Sequence, residues 1–449
     1  MFKRIIALIA VAAASALALS FLNFEPMAIG EIGKTKTVEV AGRTPELVCP
    51  GPVFVNGGEG GTKLGTFVQS GSVQIEGRDL AGAISKSASA QSKLSGTADG
   101  SKNFNAIQVQ SAAGNQAFGL AAASCTPGTS DAWIVAGDNS VGREALLILV
   151  NVGAVDATVN LELLGSSGPI EGTGLSGISA PAGKTTVLPL ASFAPKAEVF
   201  AVHVTSRGAN LGVYLQQKTI RGVTPGGLDL VGVTAPAEKQ LVIPGIFLRT
   251  SAKLTALVTA DQNFADTRPM LRVTAPGNKE ATFTAQVVGS DGSNFGTVIQ
   301  GTVPAGSTKD FEIADVADGD YAVQFDSNQP IMASFRYSRA AGSVSDLAWA
   351  TGVSATKLDA GFTSPSGTVS KLSLVNPGAE PITVKLSGVN LTVKANSNLV
   401  VSLAAGRSYQ IASNGPIAAS VVIDKYFQIA VVPVIDYRSS GGTLKVNIR

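Results

Sequence analysis

The sequence predicts an all-β chain: tandem immunoglobulin-like β-sandwich modules behind an N-terminal hydrophobic anchor helix. Three observations carry this. A seven-residue phrase occurs three times, as Leu147-Ile148-Leu149-Val150-Asn151-Val152-Gly153, Leu271-Arg272-Val273-Thr274-Ala275-Pro276-Gly277 and Leu372-Ser373-Leu374-Val375-Asn376-Pro377-Gly378. Each copy reads as a strand followed by a turn, and a second strand starts after it at Ala157, Ala281 or Ile382. The remaining sequence is short apolar runs with turn residues at close spacing and almost no helical period, the pattern of a sandwich. A repeat of this kind is an architecture, and its residues are apolar groups and turn formers rather than catalytic groups.

The chain opens with Lys3 and Arg4, followed by an uncharged run over residues 5–24. That run is long enough to cross a bilayer as a helix, and its positive flank should stay in the cytoplasm with the rest of the chain outside. The alternative is a cleaved signal peptide with Ala16-Leu17-Ala18 as its small-residue site. Both readings export the chain. The expected organisation is an anchor or signal segment at 1–24, a tether at 25–36, a cysteine-stapled β module at 37–136, and sandwich repeats at 137–235, 236–353 and 354–449.

Composition narrows the partners. Charged residues are 15% of the 449, against about 25% in typical soluble proteins, so the exterior must be built largely from Ser, Thr, Asn, Gln, Gly and Ala. A net charge of +2 leaves no basic stripe to displace counterions from phosphates, which argues against a nucleic-acid partner.

Within the first module, strands are expected at Thr37-Val38-Glu39-Val40, Ser72-Val73-Gln74-Ile75 and Ala106-Ile107-Gln108-Val109, each alternating apolar with polar. Residues 81–101, rich in Ser, Ala, Gly and Lys, read as a surface loop or short helix rather than a recognition segment. Cys49 and Cys125 are the two cysteines of the chain. In an oxidising compartment they are most simply one disulfide, stabilising by roughly 4 kcal/mol through chain entropy. Neither a Cys-x-x-Cys motif nor a neighbouring His points to redox chemistry.

The repeats correspond beyond their opening strands. Pro181-Ala182-Gly183-Lys184 matches Pro304-Ala305-Gly306-Ser307 and, more weakly, Lys394-Ala395-Asn396-Ser397. A later strand ends at Ser206, Ser327 or Ser413, and another leaves from Leu211, Ile331 or Ile417. The third repeat is shorter before its Ala395-Asn396 turn, so it either lacks an edge strand or has a short loop there. Asp318-Gly319-Asp320-Tyr321 resembles the turn before a tyrosine-corner strand. The third repeat is expected to lack a Tyr at the matching place, Tyr409 standing nearer its terminal Ser.

A search for chemistry assigns no catalytic, cofactor or metal residue. The single histidine, His203, alternates with Val202 and Val204 and reads as a solvated strand residue. With one His and two paired Cys, a zinc site of ordinary ligands is not available. A Ser-His-Asp triad would need His203 as its base, and no Gly-x-Ser-x-Gly elbow accompanies it. Ser354-Ala355-Thr356-Lys357 matches Ser-x-x-Lys without the partner motifs of that chemistry, and the Gly57–Lys63 glycine run fails the phosphate-loop spacing. Asp315, Asp318 and Asp320 form the best acidic cluster. They suit calcium through oxygen ligands, but their spacing is not that of a known calcium loop, and Asp is an ordinary turn former. Paired carboxylates for glycoside hydrolysis remain open, though aromatics total only 6%. Trp133 and Trp349 stand near two module junctions and are expected at equivalent places. They read as packing at the seams between sandwiches or, more sharply, as sugar-stacking platforms.

Val48-Cys49-Pro50-Gly51-Pro52, Ser124-Cys125-Thr126-Pro127, Asp131-Ala132-Trp133-Ile134-Val135 and the Leu374-Val375-Asn376-Pro377-Gly378 phrase, behind the N-terminal hydrophobic segment, resemble an uncharacterised actinobacterial family of exported, membrane-anchored β-rich proteins, the domain of unknown function 5719. The resemblance covers most of the chain and implies work at the cell envelope by association. The leading expectation is a non-catalytic extracytoplasmic scaffold or docking protein. Its partner would be an envelope protein or a cell-wall polymer, and its N-terminal segment would sit in the cytoplasmic membrane. A carbohydrate-binding or adhesive surface protein is the alternative, and an envelope glycan-acting enzyme the third reading. Any binding surface is expected where the repeats differ: residues 249–269, the 81–101 loop and the shortened third repeat.

Overall fold

A computed structural model of the chain describes residues 35–39, 46–57, 63–78, 93–95, 104–290, 294–313, 316–436 and 443–447. The expected anchor at 1–24, most of the tether, the 81–101 loop apart from 93–95, residues 58–62 of the glycine run, and Asp315 lie outside the described residues. Among the described residues no helix is long and apolar enough to cross a membrane. The structure is all-β, and all of its ladders are antiparallel.

The chain divides into two compact units. The smaller comprises Met1–Arg43 and Ser439–Arg449; in it β1 (Thr35–Glu39) pairs with β32 (Thr443–Asn447). The larger runs over Thr44–Arg438 and holds the remaining strands.

The larger unit begins with β2 (Glu46–Val48), β3 (Phe54–Gly57), β4 (Lys63–Gln69), β5 (Gln74–Arg78), β6 (Lys93–Ser95), β7 (Asn105–Ala113) and β8 (Phe118–Ser124). β5, β7 and β8 make a three-stranded sheet, while β2 pairs with β6 and β3 with β4. Cys49 and Cys125 form a disulfide, and a small core of Leu47, Val73, Ile75 and Leu94 surrounds it.

Three two-sheet repeats follow with one shared topology. The first has β9 (Asp131–Ile134), β10 (Arg143–Val150), β11 (Ala157–Gly165), β12 (Gly168–Pro169), β13 (Ile178–Ala180), β14 (Thr185–Pro189), β15 (Phe200–Arg207), β16 (Gly212–Arg221) and β17 (Thr224–Val231). Its sheets run β12-β11-β15-β9 and β14-β10-β16-β17. The second has β18 (Glu238–Leu248), β19 (Met270–Ala275), β20 (Ala281–Gly289), β21 (Asn294–Val303), β22 (Ser307–Glu312), β23 (Gly319–Ala341) and β24 (Val344–Thr351). The third has β25 (Thr356–Ser364), β26 (Val369–Asn376), β27 (Ile382–Leu386), β28 (Val389–Val393), β29 (Ser397–Leu403), β30 (Arg407–Lys425) and β31 (Gln428–Pro433). In these two repeats one long strand, β23 or β30, serves both sheets, doing the work that β15 and β16 share in the first.

The recurring phrase is the strand β10, β19 or β26 and the turn after it. In two copies its Asn is fully buried and closes that turn. Asn151 accepts from Gly153 N at 2.9 Å and donates to Val155 O and Ala180 O. Asn376 accepts from Gly378 N at 2.9 Å and donates to Glu380 O, Val393 O and Lys394 O. The middle copy has Ala275, and Gly306 N bonds Ala275 O and Gly277 O instead. The strand after the phrase alternates, as the polar–apolar pattern predicts: β11, β20 and β27 each begin buried, exposed, buried.

Two expectations about the third repeat resolve. Its edge strand is present as β28, reached through a two-residue turn at Ser387 and Gly388, both with positive φ, so the shortening is a tight hairpin. Its tyrosine is not missing. Tyr409 lies two residues into β30 as Tyr321 lies two into β23, and the hydroxyls bond Ala404 N at 2.7 Å and Ala317 O at 3.0 Å. Spacing from the terminal Ser misplaced Tyr409.

The four modules close on one another in a cycle. The last strands β8, β17, β24 and β31 meet at the centre, β8 and β24 each packing on both β17 and β31. Each core also takes in residues from the next module. The first module's core includes Leu146, Ile148 and Tyr214 of the first repeat, whose own core holds Leu347 and Trp349 of the second. The second repeat's core includes Val422, Ile429 and Val431 of the third, and the third closes onto Ile107, Val109 and Leu120 of the first module.

Candidate functional site

The centre of the cycle is a carboxylate. Asp346, fully buried on β24, accepts hydrogen bonds from Leu120 N at 3.0 Å, Leu228 N at 3.1 Å and Ile429 N at 3.0 Å. One residue of the second repeat thus ties the last strands of the other three modules. Burial pushes its carboxyl up to about 7 against the pull of those amides. The approach is close enough to demand glycine: at Gly119 (φ +142°) a Cβ would sit 2.3 Å from Asp346 Oδ1, and at Gly227 (φ +132°) 2.8 Å from Leu347 N. Asp229, also buried, accepts from Trp349 N at 2.7 Å and Leu230 N at 2.9 Å, and burial holds it well above the usual carboxylate range. Sequence analysis placed Trp349 near a module junction but gave Asp346 and Asp229 no role. The available signal was an Asp inside an apolar strand, which must find donors once buried.

The two tryptophans occupy different strands, Trp349 on the last strand of the second repeat and Trp133 on the first strand of the first. Trp349 is buried in the first repeat's core with the Arg272 and Arg336 guanidiniums 4.8 Å and 5.7 Å from its ring centre. Trp133, half-buried, stacks on His203 with ring centres 4.2 Å apart and planes within 6°. The His203 ring nitrogens lie 3.0 Å from Asp131 Oδ1 and 3.2 Å from Glu162 Oε2, both on exposed side chains. Each nitrogen meets a different carboxylate, and no His, Cys, Asp or Glu cluster suited to a metal occurs among the described residues.

The other residues singled out in sequence are spent structurally. Asp318 accepts from Thr250 N and Ser251 N, both at 3.0 Å, at the start of helix α1 (Ser251–Ala260), and these bonds hold its carboxyl below the usual range although partial burial opposes them. Asp320 pairs with Arg249 and, at 3.6 Å, with Lys371. Ser354 Oγ donates to Glu238 at 2.7 Å. The 249–269 insertion is a strap onto the first repeat: Asp266 receives Arg221 at 2.6 and 2.8 Å and Arg143 at 3.0 Å, while Asn263 O accepts from both arginines. Burial lowers the pKa of Arg221, and Asp266 opposes that shift.

Of the hollows at module boundaries among the described residues, two are roomy. One, of about 460 Å³, opens where the inter-module connections meet, beside Pro127, Ala235, Pro236, Val353 and Asp436. The other, of about 540 Å³, is a cleft between the second and third repeats. Its polar wall carries Gln240, Thr284, Gln286, Gln324 and Asp326, and its far wall is Pro377, Ile382 and Pro416.

Comparison with known proteins adds a family and no activity. No curated protein matches the chain. An anti-sigma factor domain-containing protein from Clostridium clariflavum is similar over 74% of this chain and 83% of its own, at 10% identity and a TM-score of 0.13, too slight a likeness to carry an argument. The model of the family of unknown function DUF5719 matches residues 81–414, well over half the sequence, and spans all three phrase copies. The chain therefore belongs to the family of unknown function DUF5719.

Proposed function

We propose that the chain is a non-catalytic extracytoplasmic scaffold or docking protein of the cell envelope. It is built of tandem immunoglobulin-like sandwiches and held at the cytoplasmic membrane by its N-terminal segment. Its partner is an envelope protein or a cell-wall polymer. The observation that carries this reading is the closed cycle of modules around Asp346. It commits a fully buried carboxyl to holding modules in fixed positions, which suits a platform. The Cys49–Cys125 disulfide supports the compartment, since structural disulfides persist outside reducing cytoplasm.

The test has two arms. Intact cells treated with a membrane-impermeant amine-reactive biotin should label the protein without lysis; labelling only after lysis contradicts export. Full-length protein mixed with isolated envelopes should sediment with them and release no new reducing ends. Glycan hydrolysis abolished by a single Asp or Glu substitution would instead establish the enzyme reading. The alternative, a carbohydrate-binding or adhesive surface protein, is favoured by one observation, the polar wall of the cleft between the second and third repeats.

A further inference from the structure

We infer that the cleft between the second and third repeats binds a neutral, hydroxyl-rich glycan; this rests on the docking reading and names the chemistry docked. The polar wall is the outer face of three paired strands. Gln240 on β18 stands opposite Asp326 on β23, which stands opposite Thr284 on β20. One step along, Gln324 on β23 stands opposite Gln286 on β20. Since side chains two apart share a face, these five project together into the cleft of about 540 Å³, a size ordinary for a ligand site.

One of the five holds buried, unspent hydrogen-bonding capacity, while Gln240, Thr284 and Asp326 are exposed. Gln324 Nε2 is buried without a partner. Buried glutamines elsewhere are engaged: Gln108, Gln216 and Gln217 each accept from and donate to the backbone, at Gly51, Phe54 and Asp138. A protein keeps few buried polar groups unsatisfied, because each costs free energy. Gln324 Nε2 therefore awaits an acceptor from outside the chain, and half-buried Gln286 with exposed Gln240, Thr284 and Asp326 lines the same wall beside it.

The chemistry of the lining selects the ligand. An amide both donates and accepts, as a hydroxyl does, so three glutamines and a threonine match a polyol. No Lys or Arg lines the cleft, while Glu238 and Asp326 do, which disfavours phosphate- or carboxylate-bearing polymers. The far wall of Pro377, Ile382 and Pro416 offers an apolar surface to the C–H face of a sugar ring, and the amides face its hydroxyl edge.

The test is titration calorimetry of the full-length protein in detergent with three neutral hexasaccharides, a β-1,4-glucan, an α-mannan and a β-galactan, and with hexalysine. At least one hexasaccharide should bind, and Gln286→Leu and Gln240→Leu should each weaken it about tenfold or more, a loss of about 1.4 kcal/mol. Both side chains lie on an open sheet face, so the thermal midpoint should stay unchanged and report intact folding. Binding of none of the saccharides, binding indifferent to both substitutions, or binding of hexalysine alone overturns the assignment. If the protein still sediments with envelopes in those cases, the glycan assignment fails and the docking reading stands; if sedimentation also fails, both fall.

Discussion

The seam between the first module and the first repeat and the seam between the first and second repeats use the same sheet, built from the same phrase, in opposite ways. In the first repeat β10 turns Leu147 and Leu149 into its own core and Leu146, Ile148 and Val150 out toward the first module. In the second, β19 turns Leu271 and Val273 inward, but its outward residues are Arg272 and Thr274. Arg272 is fully buried, bonded to Asp310 at 2.7 and 2.8 Å and to Gly137 O, Phe200 O and Glu198 O of the first repeat. The inward face writes the sandwich, and the outward face writes which neighbour it meets and by what force. A seam of buried branched side chains is strong but unselective, whereas a buried arginine with fixed carbonyl partners is selective, because any other neighbour leaves the charge unpaired.

The comparison breaks most sharply at Arg272. Arg272→Ala leaves Asp310 and three carbonyls without their donor and should cost about 3–5 kcal/mol, read by urea unfolding. A cost under about 1 kcal/mol would mean the polar seam is not a specificity device. Asp346→Ala strips three amides at the centre and should cost about 3 kcal/mol or more, with faster hydrogen exchange at Leu120, Leu228 and Ile429 as its local signature.

Asp346 also gives the centre a pH dependence. Its folded pKa of about 7 lies above the ordinary 3.8, so the folded state holds the proton more tightly. Its contribution to stability is therefore fully present below about 4 and lost as pH rises through about 7. Asp346→Asn should flatten that fall; an unchanged slope between those limits would assign the dependence elsewhere. Asn376→Ala, which frees three carbonyls and one amide at the phrase turn, should cost about 2 kcal/mol. Ile148→Val, one methylene from the apolar seam, should cost about 1 kcal/mol. Together they separate turn chemistry from seam packing in thermal melts.

Much of the fold was legible because it is local. The phrase marked β10, β19 and β26, alternation marked β11, β20 and β27, and the two cysteines of the chain marked the disulfide. The cycle was not legible, because its contacts join residues as distant as Leu120 and Asp346, and no spacing rule connects them. A partial signal did exist: Leu146 to Val150 is apolar without alternation, which implies burial on both faces and hence a covering neighbour. The cleft was illegible for a different reason. Gln240, Gln286 and Gln324 look like ordinary outward-facing strand residues, and only the pairing register puts them side by side.

The central claim is that residues 44–438 fold as one closed body. Its most direct test is urea unfolding of the full-length protein, followed together by tryptophan fluorescence at the first and second repeats and by hydrogen exchange in β7 and β30. The closed cycle predicts a single midpoint shared by both signals. Separate midpoints, with the repeats melting one after another as independent beads, would contradict it.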